Sequence, residues 1–119
     1  MLVPNYQETI QKENPDIIGI SMWTTFAASS FHVAKIVKKV KPECKVVFGG
    51  PHATAKPDEI LRICPDVDYV VVGEGEYVME ELTIALNEKK KDLSSICGLS
   101  FRGKHGIIHN KRKPYVVDL

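Results

Sequence analysis

Three short apolar runs constrain this chain more than anything else in it. Residues 17–20 read Ile-Ile-Gly-Ile and stop at Ser21; residues 46–48 read Val-Val-Phe and stop at Gly49 and Gly50; residues 69–72 read Tyr-Val-Val-Val and stop at Gly73, Glu74 and Gly75. None shows the apolar–polar alternation of a strand with one wet face. Runs of this length, separated by helical segments, are the pattern of parallel strands covered on both faces. Parallel strands share a direction, so the three small or polar ends fall side by side on the carboxyl edge of one sheet. In open α/β sheets that edge is where ligands bind.

The segments between the runs fit this reading. After the first run, Thr24 and Thr25 are candidate caps of a helix reaching about Lys41, with Phe26, Val33, Ile36, Val37 and Val40 on one stripe. Lys35, Lys38, Lys39 and Lys41 are expected on its outer face and carboxyl end, where cations suit the helix dipole, and Pro42 closes it. Gly49-Gly50-Pro51 is a turn that glycine makes at little cost. Pro57-Asp58-Glu59 opens a short helix over residues 58–64. A last helix spans residues 76 to about 90, with Val78, Leu82, Ala85 and Leu86 inward. Ahead of the first run, residues 5–14 make at most a short helix that Asn14-Pro15 stops. At the far end, residues 98–102 and 107–110 are β-like and joined by Gly-Lys-His-Gly, which predicts a hairpin. The expected fold is α/β: a three-layer, flavodoxin-like or Rossmann-like parallel sheet with a C-terminal hairpin. Residues 1–119 form one domain, and residues 110–119, basic and carrying Pro114, lead out of it as a linker.

Composition removes several function classes. A formal net charge of +1 gives no electrostatic basis for nucleic acid or an anionic membrane as partner. No apolar run is long enough to span a bilayer, and the first residues lack the basic start and apolar middle of a signal peptide. Cys44, Cys64 and Cys97 are odd in number and far apart, with no CxxC or Cys/His spacing. That argues against a chain-borne zinc or iron–sulfur site and for reduced, cytoplasmic thiols.

The candidate site residues lie on the loop edge. Ser21, Thr24 and Thr25 offer hydroxyls, although for Thr24 and Thr25 helix capping is the plainer role. Gly49 and Gly50 allow close approach of a flat or bulky ligand to backbone, or simply make a tight turn. His52 after the turn can hydrogen-bond a ligand or cap the loop, and Thr54 follows on the same segment. In Gly73-Glu74-Gly75-Glu76 the second acid suits a helix start anyway, which leaves Glu74 as the better ligand contact. His32, His105 and His109 receive no role. No nucleophile elbow, Cys/His dyad, phosphate loop or complete GxGxxG follows any of the runs, so no catalytic residue is assigned.

The segments DIIGIS, VVFGGPHAT and DYVVVGEGE, followed by GLSFR and a basic, proline-bearing exit, resemble the cobalamin-binding domain that precedes the catalytic barrel in cobalamin-dependent radical SAM enzymes. The resemblance runs over residues 13–119. It implies a flavodoxin-like sheet holding cobalamin (vitamin B12) across its carboxyl edge, with residues 21–25, 49–54 and 73–76 lining a groove for the corrin and its nucleotide tail. It also implies a parent methyltransferase or related radical enzyme, whose iron–sulfur cluster and S-adenosylmethionine belong to a radical SAM barrel absent from this chain. Two features of the family are not found in this sequence: the CxxxCxxC of the barrel, and two strands ahead of the segment matching Asp16. The first of those strands would flank residues 17–21.

Three functions follow as expectations. The first is a cobalamin-binding module that is not itself catalytic. The alternative is a ligand-free α/β assembly domain that self-associates, as a homodimer meeting through the edge of the first strand with Trp23 and Phe26 adding apolar contact. The third is a small enzyme using Glu74 and His52.

Overall fold

The computed structural model describes residues 6–21, 27–73 and 75–111. Its elements are α1 (Tyr6–Glu13), β1 (Ile17–Ser21), α2 (Ala27–Val40), β2 (Lys45–Gly49), α3 (Pro51–Ala55), α4 (Pro57–Ile63), β3 (Tyr69–Val71), α5 (Gly75–Asn87), β4 (Leu99–Gly103) and β5 (Gly106–His109). The sheet order is β1-β2-β3-β4-β5. The first three strands are parallel, with Ile17 beside Lys45, Ser21 beside Gly49, and Phe48 beside Val70. The hairpin is not an appendage. β4 joins β3 antiparallel, Val70 beside Ser100, so the sheet is mixed rather than wholly parallel. The turn at Gly49-Gly50-Pro51 leads into a separate helix, α3, that the sequence did not suggest.

Alternation along the strands divides the core in two. Ile18, Ile20, Val46, Phe48 and Val70 face α1–α4 and pack with Ile10, Ala34, Val37, Ala53, Ile60 and Leu61. Ile17, Val47, Tyr69, Val71, Leu99 and Phe101 face α5 and pack with Val78, Leu82, Ala85, Leu93 and Ile96. The expected α2 stripe is thus the one buried, with Val37 at its centre and fully enclosed. Phe26, Trp23, Thr24 and Thr25 lie outside the described residues. Two lysines expected on the outer face and carboxyl end, Lys38 of α2 and Lys41 just beyond it, turn back toward the strand starts. Lys38 Nζ bonds Asp68 at 2.6 Å and the Cys44 carbonyl at 2.7 Å, and Asp68 also accepts the Val46 amide at 2.8 Å. Lys41 reaches the Asn14 carbonyl and Asp16. The long alkyl stems cover apolar surface while the ammonium groups find partners at the strand starts.

Burial pushes the thiols of Cys44 and Cys64 up from their ordinary value, which suits inert, reduced cysteines. No helix among the described residues is long and apolar enough to cross a membrane.

Candidate functional site

β1, β2 and β3 end level with one another because their register is in phase, and a groove of about 260 Å³ opens between these ends and α5. Gly19, Ser21, Val47, Gly49, Gly50 and Val71 line it, and Met79 of α5 forms its wall. The groove exists because two inward positions lack side chains. A Cβ added at Gly19 would sit 3.6 Å from Met79 Cε, and one at Gly49 would sit 4.0 Å from Val71 Cβ. Backbone therefore forms much of its floor, and a flat ligand can lie against it.

Gly50 has φ 97° and ψ −178°, a conformation essentially reserved for glycine, and it delivers the chain to Pro51 at the start of α3. Within α3 the Thr54 amide bonds the Gly50 carbonyl at 2.9 Å. The Thr54 hydroxyl accepts the Gly73 amide at 3.2 Å. Gly73, at φ 90°, turns the chain out of β3 toward α5. The second and third loops are thereby tied to each other. His52 lies half-buried on the first turn of α3. Among the described residues, those lining the groove are not titratable, and what they offer a ligand is shape, apolar contact and backbone polar groups.

Of the residues picked from sequence, Ser21, Gly49 and Gly50 line the groove. Thr54 and Gly73 join the loops beside it, and Gly75 begins α5. Thr24, Thr25 and Glu74 lie outside the described residues. Sequence reasoning missed Gly19 and Met79. The signal for Gly19 was present, since a glycine inside an isoleucine run marks close approach of something to the strand. Met79 had none, because only the tilt of α5 brings it over β1.

His109, given no role above, sits in a chain of hydrogen bonds. Its Nδ1 is 2.7 Å from Ser100 Oγ and its Nε2 is 3.2 Å from Asp58. A recess of about 320 Å³ adjoins it, lined also by Val72 and Asn110. The order Ser–His–Asp is that of a nucleophile relay, yet Ser100 is 2 % exposed within the β4–β5 ladder. What these bonds do is pin the hairpin to the first turn of α4. Among the described residues no cluster of three or more His, Cys, Asp and Glu could hold a metal ion.

The B12 binding domain family model matches residues 4–83. An uncharacterized methyltransferase of Pyrococcus horikoshii is 42% identical over 110 residues, covering 92% of this chain and 24% of that protein. The cobalamin-dependent radical SAM methyltransferase TokK of Streptomyces tokunonensis is 32% identical over 107 residues, covering 87% of this chain and 16% of that one. Among solved structures, the radical S-adenosylmethionine methyltransferase TsrM of Kitasatospora setae, with cobalamin and a [4Fe-4S] cluster bound, superimposes with a TM-score of 0.77 at 19% identity over 96% of this chain and 22% of its own. That last likeness is one of fold. The chain spans about a quarter or less of the length of these relatives. It belongs to the B12-binding domain family and is similar to the domains of that kind in cobalamin-dependent radical SAM enzymes.

Proposed function

We propose that this chain holds cobalamin across the carboxyl edge of β1–β3 and presents it to a separate radical SAM barrel. The observation that carries the reading is the glycine-floored groove beneath three aligned strand ends, in a chain of the B12-binding family. Ser21, Gly49, Gly50, His52, Thr54 and Gly73, with Thr24, Thr25, Glu74 and Gly75, are the proposed cofactor-binding residues, and Gly19 and Met79 join them. Cobalamin supplies a cobalt-centred methyl carrier or redox group, and the chain supplies shape and exclusion of water. The parent is a methyltransferase or related radical enzyme, with the iron–sulfur cluster and S-adenosylmethionine on its barrel. Residues 1–119 are then one partial cobalamin-binding unit, with residues 110–119 leading toward that barrel; Asn110 and Lys111 remain bonded to the domain. A cytoplasmic setting fits the free cysteines.

The test is absorbance of the purified chain after incubation with hydroxocobalamin and desalting. Retained corrin bands at near one equivalent are expected, and a colourless protein would sink the proposal. Gly50→Val should abolish retention, since a branched side chain at φ 97° is strained and also enters the ligand's approach. His52→Ala should cost only about 1 kcal/mol, the worth of one hydrogen bond.

A second reading, the homodimer, is favoured by one observation. β1 is the edge of the described sheet, and its residues are half-buried or exposed where those of β2 are mostly buried. Its outer amides and carbonyls suit strand pairing with a second copy. Light scattering should find a dimer at micromolar concentration; a monomer throughout the micromolar range would remove this reading.

A further inference from the structure

We infer that Thr54 acts on the bound ligand through Gly73, as a positioning residue that fixes the spacing between the second and third loops. The inference rests on the cobalamin reading above. Thr54 bonds both loops: its amide donates to the Gly50 carbonyl at 2.9 Å, and its hydroxyl accepts the Gly73 amide at 3.2 Å. Both partners are glycines at positive φ, 97° and 90°, where the chain leaves its strand and the ladder no longer holds it. The root of the third loop is fixed from its other side as well, since the Val72 amide bonds the Gly98 carbonyl at 2.8 Å. Gly98 lies close against that root: a Cβ on it would sit 2.8 Å from the Val72 carbonyl oxygen.

The geometry therefore holds Gly73 to α3 by its own amide and, through its neighbour Val72, to the residue before β4. A ligand resting on Gly49 and Gly50 and reaching Gly73 meets two loops whose separation is set before it arrives. Preorganisation of this kind improves affinity by sparing the ligand the ordering of the loop. Valine in place of Thr54 keeps the branched shape and removes only the acceptor. Serine keeps the acceptor and removes only a methyl group.

The experiment uses the full chain, hydroxocobalamin as probe, and amide exchange of Gly73 read by NMR without ligand. For Thr54→Val, cobalamin affinity should fall about five- to tenfold and Gly73 exchange should quicken about tenfold, the scale of one lost hydrogen bond. Thr54→Ser should stay within about twofold of the parent on both readouts, which a loss of packing alone would not allow. Weaker binding by Thr54→Val with Gly73 exchange unchanged would mean direct ligand contact and overturn the inference. Faster Gly73 exchange with unchanged affinity would overturn it equally. If Thr54→Val does not fold, rapid Gly73 exchange in the unaltered chain would overturn the clamp. Should the unaltered chain bind no cobalamin, the proposed function fails, while Gly73 exchange still decides whether the clamp exists.

Discussion

The two ends of the sheet solve the edge problem in opposite ways. At the hairpin end, side chains lock the last strands to the rest of the molecule. The Arg102 guanidinium donates to the carbonyls of Leu61 at 3.1 and 2.8 Å and Cys64 at 2.6 Å, where α4 ends, and of Val67 at 2.5 Å in the loop beyond it. Asn110 donates to the carbonyls of Leu93 and Ile96, and His109 bridges Ser100 and Asp58. At the β1 end the sequence is that of an interior strand, yet Gly19 and Ser21 are exposed and Ile17, Ile18 and Ile20 only half-buried. The lesson is that apolar content does not rank the two ends. The polar-looking hairpin is secured by side chains, while among the described residues the apolar strand β1 has no strand on its outer side.

The largest expected effect breaks the secured end. Arg102→Ala leaves the carbonyls of Leu61, Cys64 and Val67 without their cation and should cost about 3 kcal/mol in urea unfolding. Arg102→Lys should recover only part of that, because an ammonium group cannot reproduce the fork. A loss below about half a kcal/mol would show that Arg102 is not what secures the hairpin.

His109→Ala comes next, at about 1–2 kcal/mol, because it leaves a buried Ser100 hydroxyl without its imidazole partner. The paired change with Ser100→Ala should cost less than the sum of the two, which a double-mutant cycle measures.

The β1 end gives a kinetic contrast. Those β1 amides that point away from β2 should exchange at least about a hundredfold faster than the amides of Val47 and Phe48 at the sheet's centre. Uniform protection along β1 would mean that its outer edge is covered.

The smallest effect is on the acid limb of stability. Ser94, through its hydroxyl and its amide, holds the Asp92 carboxyl below its ordinary value. A depressed folded value means the contact stabilises above the ordinary carboxylate range and is lost as pH falls through the folded value. Asp92→Ala should therefore lower stability slightly at neutral pH, with the difference from the parent vanishing as pH falls through the carboxylate range, as read from thermal melts across pH.

Much of this was legible in the residues. The three apolar runs gave three parallel strands because covered strands have little choice of composition. The Val37 stripe fixed which face of α2 turns inward, and glycines at the strand ends located the groove. What stayed hidden depends on distance along the chain. Nothing in the residues near Arg102 says that its partners lie 35 to 41 positions earlier, and Met79 meets Gly19 only once α5 lies on the sheet. Lys38 read as a solvent-facing cation because periodicity sees the helix and not the strand beside it. α3 escaped notice because five residues are too few for any period to register.

The Arg102 anchor also bears on the order in which the molecule is made. A ribosome delivers residues 57–67 well before residue 102, so the end of α4 and the loop after it emerge without the cation that their carbonyls later bond. They acquire their cation only after β3, α5 and most of β4 have followed. The half-made chain should therefore hold α4 as a fraying segment. Its last turn sets late in synthesis, when one arginine arrives to close three carbonyls at once.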